Sequence, residues 1–247
     1  MTPTTTIDAR RYHAVLFDLD GIVTETASVH RGAWKRLFDT YLRDRAGDPT
    51  EDHGPFTEED YVRHVDGRPR LDGVRAFLAS RGIEPDEPTV ERLGERKDRY
   101  FRERLDEDGV EVYRSTVSLV HDLRAAGLRT AVFTSSRNGE SVLRRAGLQD
   151  LFETRVDGVT AAELGLPGKP DPAVLLEAAR RIEAEPVRTV VVEDAHVGVE
   201  AGRRGGFGLV IGVDRGGAAQ VLREHGADVV VRDLAEVTVA PQRSSTD

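Results

Sequence analysis

The sequence predicts an α/β fold: a Rossmann-like parallel-sheet core with an α-helical cap domain inserted into it. Two observations carry this. Short Val-rich apolar runs near residues 13–18, 129–134, 189–193, 208–213 and 228–232 read as buried strands, and segments of helical periodicity separate most of them. Strands alternating with helices build a parallel sheet with right-handed crossovers. The stretch from Ser28 to Glu111 breaks that rhythm. It has no comparable Val-rich run, and shows helical patterns near 28–45, 57–65, 71–80 and 87–105.

Taken in order, the first strand is His13-Ala14-Val15-Leu16-Phe17-Asp18, apolar on both faces as a parallel-sheet strand should be. It runs into Asp18-Leu19-Asp20-Gly21, which sets two carboxylates at the strand's C-terminal end, where open α/β sheets place their ligands. Two anions so close repel, so either one pKa rises or a cation sits between them. The pattern suits a bound metal, or an acid/base pair held in different protonation states. The helical insert follows, its segments separated by Pro, Gly and acid clusters at Ala46–Phe56 and Ile83–Pro88. The alternation then resumes with Val132-Phe133-Thr134-Ser135-Ser136, a strand ending in hydroxyls. Gly168-Lys169-Pro170-Asp171-Pro172 places a lysine ahead of a helix start, with Asp171 as cap and Pro172 in the first turn. Val190-Val191-Val192-Glu193-Asp194 ends a further strand in two more acids. The expected division is a core of residues 11–27 and 112–238, a cap of 28–111, and flexible ends at 1–10 and 239–247.

Composition narrows the functions. A net charge of −9 argues against a nucleic-acid surface, which needs a basic footprint. The absence of cysteine excludes disulfides, thiolate zinc sites and a cysteine nucleophile. The first twelve residues hold no apolar signal region, and no apolar stretch approaches the ~20 residues of a membrane span. The default is a soluble, cytoplasmic, monomeric protein acting on a small molecule, with neither nucleic acid nor membrane as partner. Lysine occurs only at Lys35, Lys97 and Lys169; every other basic residue is arginine. A retained lysine marks a place where a compact ammonium is wanted rather than a planar guanidinium, or it is chance.

Each motif alone has a plain structural explanation. Asp-x-Asp can be a solvated turn, and Thr134-Ser135 and Glu193-Asp194 can cap helices. Together they are specific, because each lies at or just beyond the C-terminal end of a strand, and in a parallel sheet those ends converge. Four acids, a hydroxyl and an ammonium would share one site. Several carboxylate oxygens suit Mg²⁺. A metal and a lysine neutralise charge on a transferring phosphoryl group. One carboxylate can act as nucleophile through an aspartyl-phosphate and another as general acid/base. Rival motifs fail. Pro170 stands where a P-loop needs Ser or Thr, the glycines of 202–208 miss the dinucleotide fingerprint, and no nucleophile-elbow serine is present.

This ordered set, spanning nearly the whole chain, resembles the haloacid dehalogenase superfamily of phosphotransferases, and the helical insert resembles that superfamily's cap. The resemblance implies Asp18 as nucleophile and Asp20 as general acid/base. It implies Thr134 binding the transferring phosphoryl group, Ser135 adding a backbone contact, and Lys169 offsetting charge. It implies Asp18, Asp20, Glu193 and Asp194 holding Mg²⁺. Asp20 and the Glu193-Asp194 pair stand against the metal-free dehalogenase branch, and Asp20 against the phosphonate-cleaving branch.

Three cap features narrow the resemblance to the β-phosphoglucomutases: His30 and Trp34 in 26–35, Val65-Asp66-Gly67-Arg68-Pro69-Arg70, and Glu95-Arg96-Lys97-Asp98. By that resemblance His30 interacts with Asp20 and Lys97 contacts the sugar region; Trp34 reads as cap packing rather than a ligand contact. The phosphate that is not transferred is held by Arg70 with Ser136, Arg137 and Asn138. The implied reaction interconverts β-D-glucose 1-phosphate and glucose 6-phosphate through an aspartyl-phosphate and glucose 1,6-bisphosphate. The alternative is a sugar-phosphate or small organophosphate phosphatase on the same scaffold. The chain departs from the family at Glu25, where Asp is usual, and at Arg137, where Lys is common.

Overall fold

A computed structural model describes residues 5–45 and 50–240. In chain order the elements are β1 (Thr5–Asp8), β2 (Ala14–Asp18), α1 (Ala27–Arg45), α2 (Glu58–Asp60), a π-helical turn (Tyr61–Val65), α3 (Arg70–Ser80), α4 (Glu87–Asp108) and α5 (Arg114–Ala125). There follow β3 (Arg129–Phe133), α6 (Gly139–Arg145), β4 (Thr154–Val156), α7 (Gly158–Glu163), α8 (Ala173–Arg181), β5 (Thr189–Glu193), α9 (His196–Arg204), β6 (Leu209–Val213), α10 (Ala219–Glu224), β7 (Val229–Val231) and β8 (Val237–Ala240).

Six strands form one parallel sheet in the order β4-β3-β2-β5-β6-β7. The chain enters at β2, in the middle, builds outward through β3 to β4, then crosses back to β5 on β2's other flank. Strand order therefore reverses between β2 and β5, and a crevice opens beyond their carboxyl ends. Asp18 ends β2 and Glu193 ends β5. Both strands are buried along their whole length, which their unbroken apolar runs require. Helices cover both faces, giving one apolar layer around Phe17, Val132 and Val192 and another around Leu16, Phe133 and Val191.

The insert builds a core of its own. Trp34, Leu37, Phe38 and Leu42 recur at helical spacing on one side of α1 and meet Phe56, Phe77 and Leu93. Asp86 caps α4 by accepting a hydrogen bond from Thr89 N at 3.0 Å. The two crossings between insert and sheet lie side by side. Thr24 bridges Val112 in antiparallel sense, Glu25 N donates to Glu111 O at 2.9 Å, and Tyr113 N donates to Val23 O at 3.0 Å.

One expectation needs correcting. Residues 5–10 and 239–240 fall in the ends read as flexible, but β1 pairs in parallel with β8 as a two-stranded sheet. Ile7 is fully buried and holds the pair to the core, and Asp8 closes the turn that follows through Arg10 N at 2.9 Å. Residues 1–4 and 241–247, the rest of those ends, lie outside the described residues. A further strand, β4, also lies beyond the runs read from the sequence. Among the described residues no helix is long and apolar enough to cross a membrane.

Candidate active site

The crevice floor is set by the ends of β2 and β5. Lys169, buried against the Phe133 ring at 4.7 Å, lies between them. Its ammonium donates to Asp18 Oδ1 at 2.6 Å and to Glu193 Oε1. Glu193 Oε2 accepts from Ala195 N at 2.7 Å, so this carboxylate is fully engaged and buried. Asp18 Oδ2 accepts from Asp20 N at 2.9 Å, which fixes the turn after β2. Gly21 lets that turn pass. At φ +90° it sits so near Asp194 that a Cβ would lie 1.8 Å from Asp194 Oδ2.

The charges do not balance. Asp18, Glu193 and Asp194 face a single ammonium. Burial drives the Asp18 carboxyl well above its usual range, with Lys169 opposing and Glu193 and Asp20 adding to the rise. Asp194 is pushed up by desolvation and by the charges of Glu193, Asp66 and Asp18. Burial disfavours the Lys169 ammonium, but Asp18 and Glu193 outweigh it and hold its pKa above the ordinary lysine range.

Asp20 faces the other way. Thr26 Oγ1 donates to its Oδ1 at 2.5 Å and Thr134 Oγ1 to its Oδ2 at 2.7 Å. His30 Nε2 stands 3.3 Å from Oδ1. Desolvation would raise the Asp20 pKa, but the His30 charge and these hydrogen bonds outweigh it and keep the carboxyl below its usual range. Thr26 in turn meets Thr24 Oγ1 at 2.9 Å. His30 stacks on Phe101 with ring centroids 4.0 Å apart, and its Nδ1 meets the Lys97 ammonium. Burial and the nearby Arg70 charge push Lys97 down to about 7.

The structure brings every sequence-selected residue to one cavity, lined by Asp18, Asp20, His30, Trp34, Arg70, Lys97, Thr134, Ser135, Ser136, Arg137, Asn138, Lys169, Glu193 and Asp194. Several of them have partners within the protein. The Thr134 hydroxyl is taken by Asp20 and Ser136 N. Trp34 is buried and stacked on Phe38 at 5.2 Å, a packing role. Arg70 pairs with Asp98 at 2.6 Å, and Ser135 Oγ donates to Gly67 O at 2.8 Å. The four carboxylates expected around a metal are not gathered as a ready-made ligand set among the described residues. Lys169 holds two of them, and Asp20 is turned toward the insert.

The donor chemistry nevertheless fits a hard divalent cation. The site carries surplus negative charge, all from oxygen donors, and the Asp194 carboxylate faces the cavity with no hydrogen-bond or ion-pair partner among the described residues. Asp194 is the carboxylate left open to it, with Asp18 beside it; the Glu193 and Asp20 side chains already hold partners within the protein.

Residues that bear on the site escaped selection from the sequence, among them Thr26 beside the cavity and Asp66 and Asp98 in its lining. Thr26 carried a signal, being a hydroxyl in the turn just after the first acid pair. Asp66 carried little, a lone acid between Val65 and Gly67 on the insert. It faces Glu193 and Asp194 across the cavity, and burial pushes it up to about 6, with the Tyr61 hydrogen bond holding it back and the Glu193 charge adding to the rise.

The empty space within is about 650 Å³, counted out to the open solvent. The insert closes over it, with Pro69 against Gly168 and Gly67 against Ala195 and Val197.

Comparison with known proteins places these features. The sequence profile of the haloacid dehalogenase-like hydrolases matches residues 12–206. A β-phosphoglucomutase of Mycobacterium bovis is 47% identical over 240 residues, covering 92% of each chain. A phosphorylated carbohydrates phosphatase of Thermotoga maritima is 31% identical over 222 residues, covering 89% of this chain and 94% of that protein. A crystal structure of β-phosphoglucomutase from Clostridium difficile superposes with TM-score 0.74 at 23% identity, over 91% of this chain and 92% of that one, a likeness of fold.

Proposed function

From the chain's membership of the haloacid dehalogenase-like hydrolases, shown by the profile match and the 47% identical relative, we propose a Mg²⁺-dependent β-phosphoglucomutase acting on a sugar phosphate through phosphorylated Asp18. The observation that carries this is the pairing of two separate centres in one closed cavity. Asp18 with Lys169 forms an acceptor for one phosphoryl group. Arg70 of the insert, with Ser136, Arg137 and Asn138 of the sheet domain, lines the same cavity and is taken here as a second anion site. A phosphatase needs the first centre; an enzyme that turns a bisphosphate end for end needs both.

In this reading Mg²⁺ supplies charge neutralisation beside the acceptor carboxylate when Asp18, Glu193 and Asp194 hold it. The remaining steps belong to side chains. Lys169 aims Asp18 and opposes the rise in its pKa that burial causes. β-D-Glucose 1-phosphate sets its phosphate on Arg70, Ser136, Arg137 and Asn138, which leaves the 6-hydroxyl near Asp20. Asp20 takes the proton from that hydroxyl as its oxygen attacks the phosphoryl group on Asp18. The bisphosphate reorients, Asp18 accepts the phosphate from O1, and glucose 6-phosphate leaves. His30 and Thr26 hold Asp20 weakly basic, and closure of the insert excludes water that would otherwise hydrolyse phosphorylated Asp18.

Incubation with Mg²⁺, β-glucose 1-phosphate and a trace of glucose 1,6-bisphosphate tests this. Glucose 6-phosphate in large excess over inorganic phosphate is the expected result, with α-glucose 1-phosphate inert. Inorganic phosphate without glucose 6-phosphate would replace the mutase reading with the phosphatase one, for which the Thermotoga maritima relative is the precedent.

A further inference from the structure

The second anion site already holds an anion, and it belongs to the protein. Asp98, on α4, accepts from Arg70 Nη1 at 2.6 Å and from Asn138 Nδ2 at 2.8 Å through one oxygen. Its other oxygen lies 2.9 Å from Arg102 Nη2. These donors come from three places: the start of α3, the body of α4, and the loop between β3 and α6. The contact with Asn138 joins the insert to the sheet domain.

Asp98 engages two of the donors that a phosphate at this subsite would use, Arg70 Nη1 and the Asn138 amide. A carboxylate brings one negative charge and two oxygens, one of them already turned to Arg102. A phosphate brings more charge and three terminal oxygens, and competes for the same donors once it is delivered.

Resting on the reading that this cluster takes the phosphate that is not transferred, the geometry points to Asp98 as an internal plug of that subsite. The carboxylate neutralises Arg70 while the cavity is empty and must swing out before a phosphate can enter. The consequence is selectivity by tethering. Free inorganic phosphate has to outcompete a carboxylate built into the same helix as Lys97. A phosphate linked to a sugar arrives with the binding energy of the whole molecule and displaces the plug.

The test is calorimetric titration of the Mg²⁺-free enzyme with inorganic phosphate. Asp98→Asn and Asp98→Ser should each bind phosphate about tenfold more tightly than the parent chain, and the gain should vanish in Asp98→Asn/Arg70→Ala. Unchanged or weaker binding in both single variants would overturn the plug and make Asp98 a positioning partner of Arg70. A gain that survives removal of Arg70 would overturn it too, because the phosphate would then lie elsewhere. The mutase assay on the parent chain is scored separately, so failure of the reaction leaves the phosphate titration interpretable.

Discussion

Lys97 and His30 share a hydrogen bond at the ring's Nδ1, and the opposite ring nitrogen faces Asp20 at 3.3 Å. An ammonium donating to Nδ1 leaves the ring's own proton on Nε2, turned toward the carboxylate. A lysine on one helix of the insert is thereby linked through a single ring to a carboxylate at the edge of the sheet.

This arrangement gives a pH signature. Lys97 titrates near 10.5 in the unfolded chain and is pushed down to about 7 in the fold by burial and Arg70. Between those values the unfolded chain holds a proton that the folded chain has released, so stability rises with pH across the window. The contribution is complete above about 10.5 and is lost as pH falls through about 7. Lys97→Met should therefore be more stable than the parent near pH 6, by on the order of 3 kcal/mol, and the advantage should fade toward pH 10. Thermal melts of both proteins across that range read it; a constant difference would rule it out.

Lys169 is expected to behave in the opposite sense. Its removal leaves Asp18 and Glu193 buried without their cation. Lys169→Met should lose about 3–5 kcal/mol of stability at neutral pH, measured by urea unfolding, and recover part of it in Mg²⁺. Equal unfolding midpoints for the two proteins would refute the account.

Asp18→Asn separates chemistry from stability. Burial and neighbouring acids disfavour the ionised carboxyl, so a neutral isostere relieves the fold. The variant should lose turnover by about 10³-fold or more while melting at a higher temperature than the parent at pH 7 without metal. A lower melting temperature would show that the bond to Lys169 outweighs the crowding.

Mg²⁺ binding can be read without turnover. At a concentration a hundredfold above its dissociation constant the ion should stabilise the parent by about 2.7 kcal/mol. Asp194→Asn should abolish most of that shift while folding normally. A full shift in the variant would remove Asp194 from the ligand set.

Much of this molecule is readable from its residues, for physical reasons. Central strands such as 14–18 and 189–193 are wetted on neither face, so they must be apolar throughout and stand out. Edge elements have no such constraint. Thr154-Arg155-Val156 forms β4 at the rim of the sheet with one fully buried side chain, and Thr5-Thr6-Ile7-Asp8 forms β1 around Ile7 alone. The core of the site was legible because its acids and Lys169 sit at strand ends. Asp66 and Asp98 were not, because a carboxylate on a charged helical insert resembles every other surface acid until the fold shows what it faces.

The paired crossings at Thr24 and Val112 behave as a door with an interlock. The residue that forms the bridge, Thr24, also touches Thr26, and Thr26 holds Asp20. Swinging the insert outward strains the same short chain of hydroxyls that keeps Asp20 in place. Opening at that bridge is therefore coupled to the hold on Asp20.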